Sequence, residues 1–275
     1  MRNVKSLVAA AASLMSSVAF AADMPIAPPP AYAPPIVDDF GGWYLRGDIG
    51  FSNQRVDHLS NALDVTTTSS IQNLSFNTAG IFGLGVGYQF NNWFRADVTG
   101  EYRGNSQFYG TDQITFPGGV GADTYHATKN EWVVLGNIYA DLGTWWGLTP
   151  FVGAGVGGAR VSINGFTDTG ITNIGTGALP GLAFGDSVSR WNFAWAVHAG
   201  LAYRVSPNFT VELAYRYLDM GDGLTGDLRT FDGLNSVVNP TTFNHLTSHD
   251  FKLGVRWYLD SPEPYMPPAP LIRKG

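Results

Sequence analysis

Apolar side chains recur at every second position in a series of short runs, the pattern of strands with one apolar face. The first run spans Trp43 to about Arg55, with Trp43, Leu45, Ile49 and Phe51 on one face and Tyr44, Arg46, Asp48 and Gly50 on the other. Ala79 to Phe90 follows, setting Phe82, Leu84, Val86, Tyr88 and Phe90 against Gly83, Gly85, Gly87 and Gln89. After an Asn91-Asn92 turn, Phe94, Ala96, Val98, Gly100 and Tyr102 oppose Arg95, Asp97, Thr99, Glu101 and Arg103. A fourth strand has Trp132, Val134, Ile138, Ala140 and Leu142 facing away from Glu131, Asn137, Tyr139 and Asp141. The fifth, Pro150 to Val161, alternates valine or alanine with glycine. The sixth, Trp191 to Val205, places Phe193, Trp195, Val197, Leu201 and Tyr203 opposite Asn192, Ala194, His198, Gly200 and Arg204. Val211, Leu213, Tyr215 and Tyr217 oppose Glu212, Ala214 and Arg216 in the seventh. The eighth runs from His249 to Leu259, with Phe251, Leu253, Val255 and Trp257 on its apolar face.

One alternating strand fits a half-buried soluble sheet and a lipid-embedded barrel equally well. The connections separate the two. Segments 56–76, 104–130, 162–190 and 219–248 are long, polar and read as loops, whereas those near residues 91, 143–147 and 206–208 are short. Long and short therefore alternate, which puts every long loop at one end, as in an outer-membrane barrel. With alternating directions, Trp43, Phe90, Trp93, Phe94, Tyr203, Phe209 and Trp257 fall at one interface. Phe51, Tyr102, Trp132, Trp191, Tyr217 and Phe251 fall at the other, making two aromatic girdles. A soluble lipocalin-like barrel would turn these rings inward, too much bulk for a small closed bore. The expected fold is all-β: an eight-stranded antiparallel up-and-down transmembrane β-barrel over residues 42–259.

The N-terminus bounds the compartment. Arg2 and Lys5 precede an apolar run from Ser6 to Val18 and an Ala19-Phe20-Ala21 cleavage site, so residues 1–21 read as a secretory signal peptide. Residues 22–41 form a proline-rich periplasmic arm and 260–275 a second proline-rich tail. The chain has no cysteine, and its 22 acidic residues outnumber its 16 basic ones, which argues against a nucleic-acid partner. After the signal segment no apolar run is long enough to cross a bilayer as a helix.

The polar faces carry Arg46, Arg95, Arg103, Arg204, Arg216, Lys252 and Arg256 against Asp48, Asp97, Glu101, Glu131, Asp141, Glu212 and Asp250. Equal numbers of each sign predict mutual pairing inside the bore, since a buried charge must find a partner. The second and fifth strands offer little but glycine to this interior, leaving room for arginines reaching across. The predicted interior is a plug of ion pairs, not an open pore.

Candidate chemistry is sparse. Gly153 to Gly158 spells G-x-G-x-x-G, but the chain continues as strand where a dinucleotide site needs a helix. The histidines, His58, His126, His198, His245 and His249, show no zinc spacing. No catalytic, metal or cofactor residue is assigned and no enzyme is expected. His249-Asp250 acting at the mouth, or haem ligation by loop histidines, are the alternatives considered.

Several blocks resemble a known family: Gly42 to Gly50 (GWYLRGDIG), Thr149 to Gly157 (TPFVGAGVG), Ala214 to Asp219 (AYRYLD) and the final strand. Together with the proline-rich arm they resemble the eight-stranded outer-membrane surface proteins of alphaproteobacteria, relatives of the opacity-protein barrels. The resemblance implies a structural, surface-exposed or porin-like protein among outer-membrane lipid and lipopolysaccharide, with haem or host-surface binding in some members. It carries no catalytic residues, and the surface ligand stays unspecified. Lys252, Gly254, Trp257 and Leu259 also resemble the C-terminal signal read by the outer-membrane insertion machinery, although here sixteen residues follow it.

Overall fold

The computed structural model describes residues 42–64, 67–235 and 237–259. The expected signal peptide, N-terminal arm and C-terminal tail lie outside these residues. In chain order the first strands are β1 (Gly42–Arg55), β2 (His58–Ser60), β3 (Ser69–Phe76), β4 (Ala79–Gln89) and β5 (Phe94–Phe116). Next come β6 (Gly119–Asp141), β7 (Leu148–Asn173), β8 (Ala178–Gly185), β9 (Val188–Ser206) and β10 (Phe209–Asp219). The last are β11 (Gly223–Leu224), β12 (Leu228–Thr230), β13 (Thr242–Asn244) and β14 (Thr247–Tyr258).

Eight of these strands close a ring in the order β1-β4-β5-β6-β7-β9-β10-β14, every neighbouring pair antiparallel and β14 pairing back onto β1. The register measures its geometry. Stepping from Tyr44 through Gly87, Asp97, Asn137, Gly155, Ala196, Leu218 and Ser248 returns to β1 at Gln54, ten residues beyond the start. Eight strands with that stagger tilt by roughly 40° and leave a bore that side chains can fill.

The faces fall as the alternation predicts. Trp43, Leu45, Ile49 and Phe51 are exposed on the outside, whereas Tyr44, Arg46 and Asp48 are buried inside. The same holds for Phe82, Leu84 and Val86 against Gln89, and for Val98 against Arg95, Asp97, Glu101 and Arg103.

The long connections keep their common end, but 104–130 and 162–190 are mostly strand, whereas 219–248 is mostly irregular between the short β11, β12 and β13. β5 and β6 run on as one hairpin thirteen residues beyond Arg103, turning at Pro117-Gly118, where Gly118 takes φ +98°. At about 3.3 Å per residue the hairpin adds roughly 40 Å of strand beyond the outer girdle. β7 extends to Asn173, β8 pairs with it, and β3 covers the free upper edge of β5. β11, β13 and β2 form a separate three-stranded sheet over the mouth. Outward positions here are Thr111, Thr124, Thr169 and Asn73 in one cross-strand row. Away from lipid the outer face has no reason to be apolar, so the alternation that marks the lower strands fades.

Candidate functional site

The bore is built in two tiers. The lower tier is a continuous chain of ion pairs. Starting at its top, Lys129 bonds Glu131, which also takes Arg103 Nε at 3.1 Å. Arg103 Nη1 reaches Asp250 at 2.8 Å, and Asp250 accepts Arg216 Nε at 2.9 Å. Arg216 also forks onto Glu101, with Nη1–Oε1 at 2.9 Å and Nη2–Oε2 at 2.6 Å. Lys252 links Glu101, at 2.5 Å, to Asp48, at 3.4 Å. Asp48 continues to Arg46, which reaches Asp97 at 3.1 Å and Glu212 at 3.5 Å. Glu212 closes the lower end with Arg256 and with Arg95, whose Nε meets Asp141 at 3.2 Å. Seven cations and seven anions are joined, all of them buried.

This census changes the expected one at a single place. The alternation places Arg204 inside, but it is exposed at the base, where the tilt carries the end of β9 out of the bore. It lines a vestibule of about 430 Å³ with Gln89, Asp141, Arg256 and Tyr258. Its place in the balance is taken by Lys129, which alternation alone leaves in a loop and the β6 extension carries into the bore. Lys129 also lies 4.7 Å from the centre of the Phe76 ring.

The glycines work differently from the expectation that they make room for arginines. A methyl at Gly87 would overlap the Tyr44 ring, one at Gly153 the Tyr139 ring, and one at Gly155 the Asn137 amide. One at Gly83 would come within 2.9 Å of Glu101 Cγ. They admit neighbours from adjacent strands, and those neighbours then hold the cations. Arg95 shows the result, its guanidinium lying 4.1 Å from the Tyr139 ring centre and 4.7 Å from that of Phe151.

The upper tier is apolar, which the sequence reading missed. Val133, Leu135, Ala159, Val161, Ile163, Ala194, Ala196 and Leu218 line one wall, which begins beside the upper ion pairs, Val133 and Leu135 lying below Glu131 on β6. Phe108, Phe166, Phe243 and Leu246 fill the space between, all essentially unexposed. Phe243 stands edge-on to Phe108 at 4.8 Å and to Phe166 at 6.0 Å. The signal was present in the inward phase of β6 and β7, where charges give way to valine, leucine and alanine. Phe108 and Phe166 reach it from the extensions of β5 and β7, and Phe243 and Leu246 from segment 219–246, which carries no periodicity.

His245 pins that segment. Its Nδ1 lies 2.8 Å from Asp57 and its Nε2 2.9 Å from Asp219, and its backbone takes φ +56° so that Leu246 turns inward. Hydrogen bonds to Asp57 and then Asp219 raise the imidazole above its ordinary pKa. His198 is buried against Tyr139, His249 bonds Tyr215 on the outer face at 2.6 Å, and His126 meets Tyr109 edge-on. His58, in β2, pairs across the small sheet with Asn244, beside His245. Among the described residues no histidine belongs to a cluster of three groups that could hold a metal ion. Gly153 to Gly158 lie within β7 and no helix follows.

A ring of eight strands with apolar outer faces agrees with what comparison with known proteins finds. The family described as "Outer membrane protein beta-barrel domain" matches residues 7–258. The chain belongs to this family. A protein of Brucella abortus is 30% identical over 235 residues, covering 75% of this chain and 78% of the relative. A putative adhesin of Rickettsia bellii is 26% identical over 217 residues, covering 78% and 87%. Among solved structures, Neisserial surface protein A aligns with a TM-score of 0.42 and 15% identity over 79% of this chain and 97% of its own. The protein is therefore an outer-membrane barrel.

Proposed function

We propose that this barrel is a structural, surface-exposed outer-membrane protein whose bore is closed to diffusion. The observation that supports this is the stack of fourteen linked charges beneath an apolar plug of Phe108, Phe166, Phe243 and Leu246. An ion entering it would have to break buried pairs and leave charges without their partners. Equal numbers of each sign also give no basis for selecting anions or cations. Planar-bilayer recordings of the purified protein are expected to be silent, and a large, stable unit conductance refutes the reading.

The working surface is then the cap, and the reading is of a contact protein without catalysis, haem or metal. Its outer face presents rows of threonine, asparagine, Tyr109 and His126 well above the lipid, and the Rickettsia relative is named a putative adhesin. Trimming the hairpin to the Phe108–Ala127 pair, by joining the strands there through a two-residue turn, is expected to abolish attachment of expressing cells while leaving the barrel assembled. Attachment that survives the trimming would move the contact surface elsewhere on the cap.

A further inference from the structure

Among the described residues, the outward positions of the eight ring strands carry no Asp, Glu, Lys or Arg between the two aromatic girdles. The first charge met on passing the outer girdle on β7 is Arg160. It is exposed on the lipid-facing side. Its cross-strand neighbours are Trp132 on β6 and Trp191 on β9, 51% and 60% exposed. Below it Gly158 leaves the outer face bare, and the Trp191 ring lies over that glycine, 3.4 Å from where a Cβ would stand. No carboxylate among the described residues pairs with Arg160, although every cation of the bore is paired.

The placement constrains what Arg160 meets. Indole rings prefer the boundary between acyl chains and headgroups, so Trp132 and Trp191 fix its depth. An unpaired guanidinium is strongly disfavoured in hydrocarbon and is tolerated on a barrel's lipid face only at that boundary. The planar fork suits a tetrahedral oxyanion better than it suits water, and arginine is the side chain that grips phosphate through two parallel hydrogen bonds. The acyl chains below the headgroup would lie on Val156 and the apolar wall of β6 and β9.

We propose that Arg160, between Trp132 and Trp191, is a binding site for a phosphate group of an outer-leaflet glycolipid of the lipopolysaccharide class. The inference rests on the outer-membrane location and is independent of whether the bore conducts.

The test uses the full chain in phosphatidylcholine nanodiscs doped either with a bis-phosphorylated lipid A or with the same acylated disaccharide stripped of phosphate. Lipid retention is read by native mass spectrometry, and folding of each variant by heat-modifiable gel migration. The wild type is expected to retain the phosphorylated lipid about tenfold better, the worth of one charge-assisted contact. Arg160→Gln is expected to lose that preference, whereas Arg55→Gln, an outward arginine across the ring on β1, keeps it. Equal retention of both lipids by the wild type overturns the proposal, even should the Gln variant fail to assemble. So does an unchanged preference in Arg160→Gln, and so does displacement of the lipid by millimolar inorganic phosphate, which would mark a free-anion site.

Discussion

Arg216→Met tests the ion-pair column at its most connected point. The guanidinium is fully buried and donates four hydrogen bonds, two to Glu101 and two to Asp250. Methionine keeps much of the volume and removes the charge, leaving a surplus anion in a closed bore. Removing one partner of a buried pair costs about 3–5 kcal/mol. Both carboxylates keep a second cation here, since Lys252 holds Glu101 and Arg103 holds Asp250. The expected loss is therefore at the lower end, about 3 kcal/mol. The companion Arg216→Met/Glu101→Gln restores the balance of charge and is expected to recover about half of it, as coupled neighbours in a double-mutant cycle do. The assay is reversible urea unfolding in lipid vesicles, followed by tryptophan fluorescence and gel migration. A loss below about 1 kcal/mol, the value of a solvated surface pair, would mean that water permeates the bore. The closed-pore reading would fall with it.

Two other outcomes bear on the ends of the barrel. Asp168, on the β7 extension, is raised to about 7 by burial and then by Asp123 and Asp112. Its Oδ1 has no hydrogen-bond partner. A carboxylate whose folded pKa is raised weakens the fold as pH climbs from its unfolded value near 4 to about 7 and beyond. The protection factors of the upper hairpin amides, in which the base-catalysed intrinsic rate is divided out, should therefore be lower at pH 8 than at pH 5, and Asp168→Asn should remove the difference by raising protection at pH 8; a difference in protection that persists in the variant refutes this. At the other end, a Cβ at Gly254 would stand 2.5 Å from Asp48 Oδ1. Gly254→Asp should block assembly by setting two carboxylates together where Lys252 already serves Asp48, and deletion of 260–275 should leave a heat-modifiable barrel. Loss of the barrel on deletion would show that the tail, not the strand ending at Leu259, carries the insertion signal.

What the sequence made legible follows where lipid and the ring impose themselves. Within the bilayer each strand has an apolar outer face by necessity, so Trp43, Leu45, Ile49 and Phe51 announce both β1 and its orientation. Hydrocarbon on one side and a narrow bore on the other leave a charge only one place to go, which is why thirteen of the fourteen buried ions could be named from alternation. Arg204 has the right phase and the wrong height. Phase is local, but height depends on the ten-residue stagger, which is a property of the closed ring.

Beyond the lipid that constraint lapses, and so does the legibility. β5 and β6 lose the apolar stripe beyond Arg103 and Glu131 because threonine and glutamine serve as well as leucine against water, yet backbone pairing carries both strands on. The plug shows the same limit from inside. Phe243 and Leu246 lie in a segment whose only regular feature is its polarity, and their burial depends on His245 turning the chain between Asp57 and Asp219, partners 188 and 26 residues away in sequence. A contact of that span leaves no trace in any local window. The strand ending at Leu259 combines both regimes: its outer face is written in the pattern of Phe251, Leu253, Val255 and Trp257, while its inner face makes sense only through β1 and β10. Asp250, Lys252 and Arg256 are each bound to charges elsewhere in the ring, and Gly254 is bare because Asp48 occupies the space. Closure of the barrel and neutrality of its bore are thus one requirement, met on a single strand.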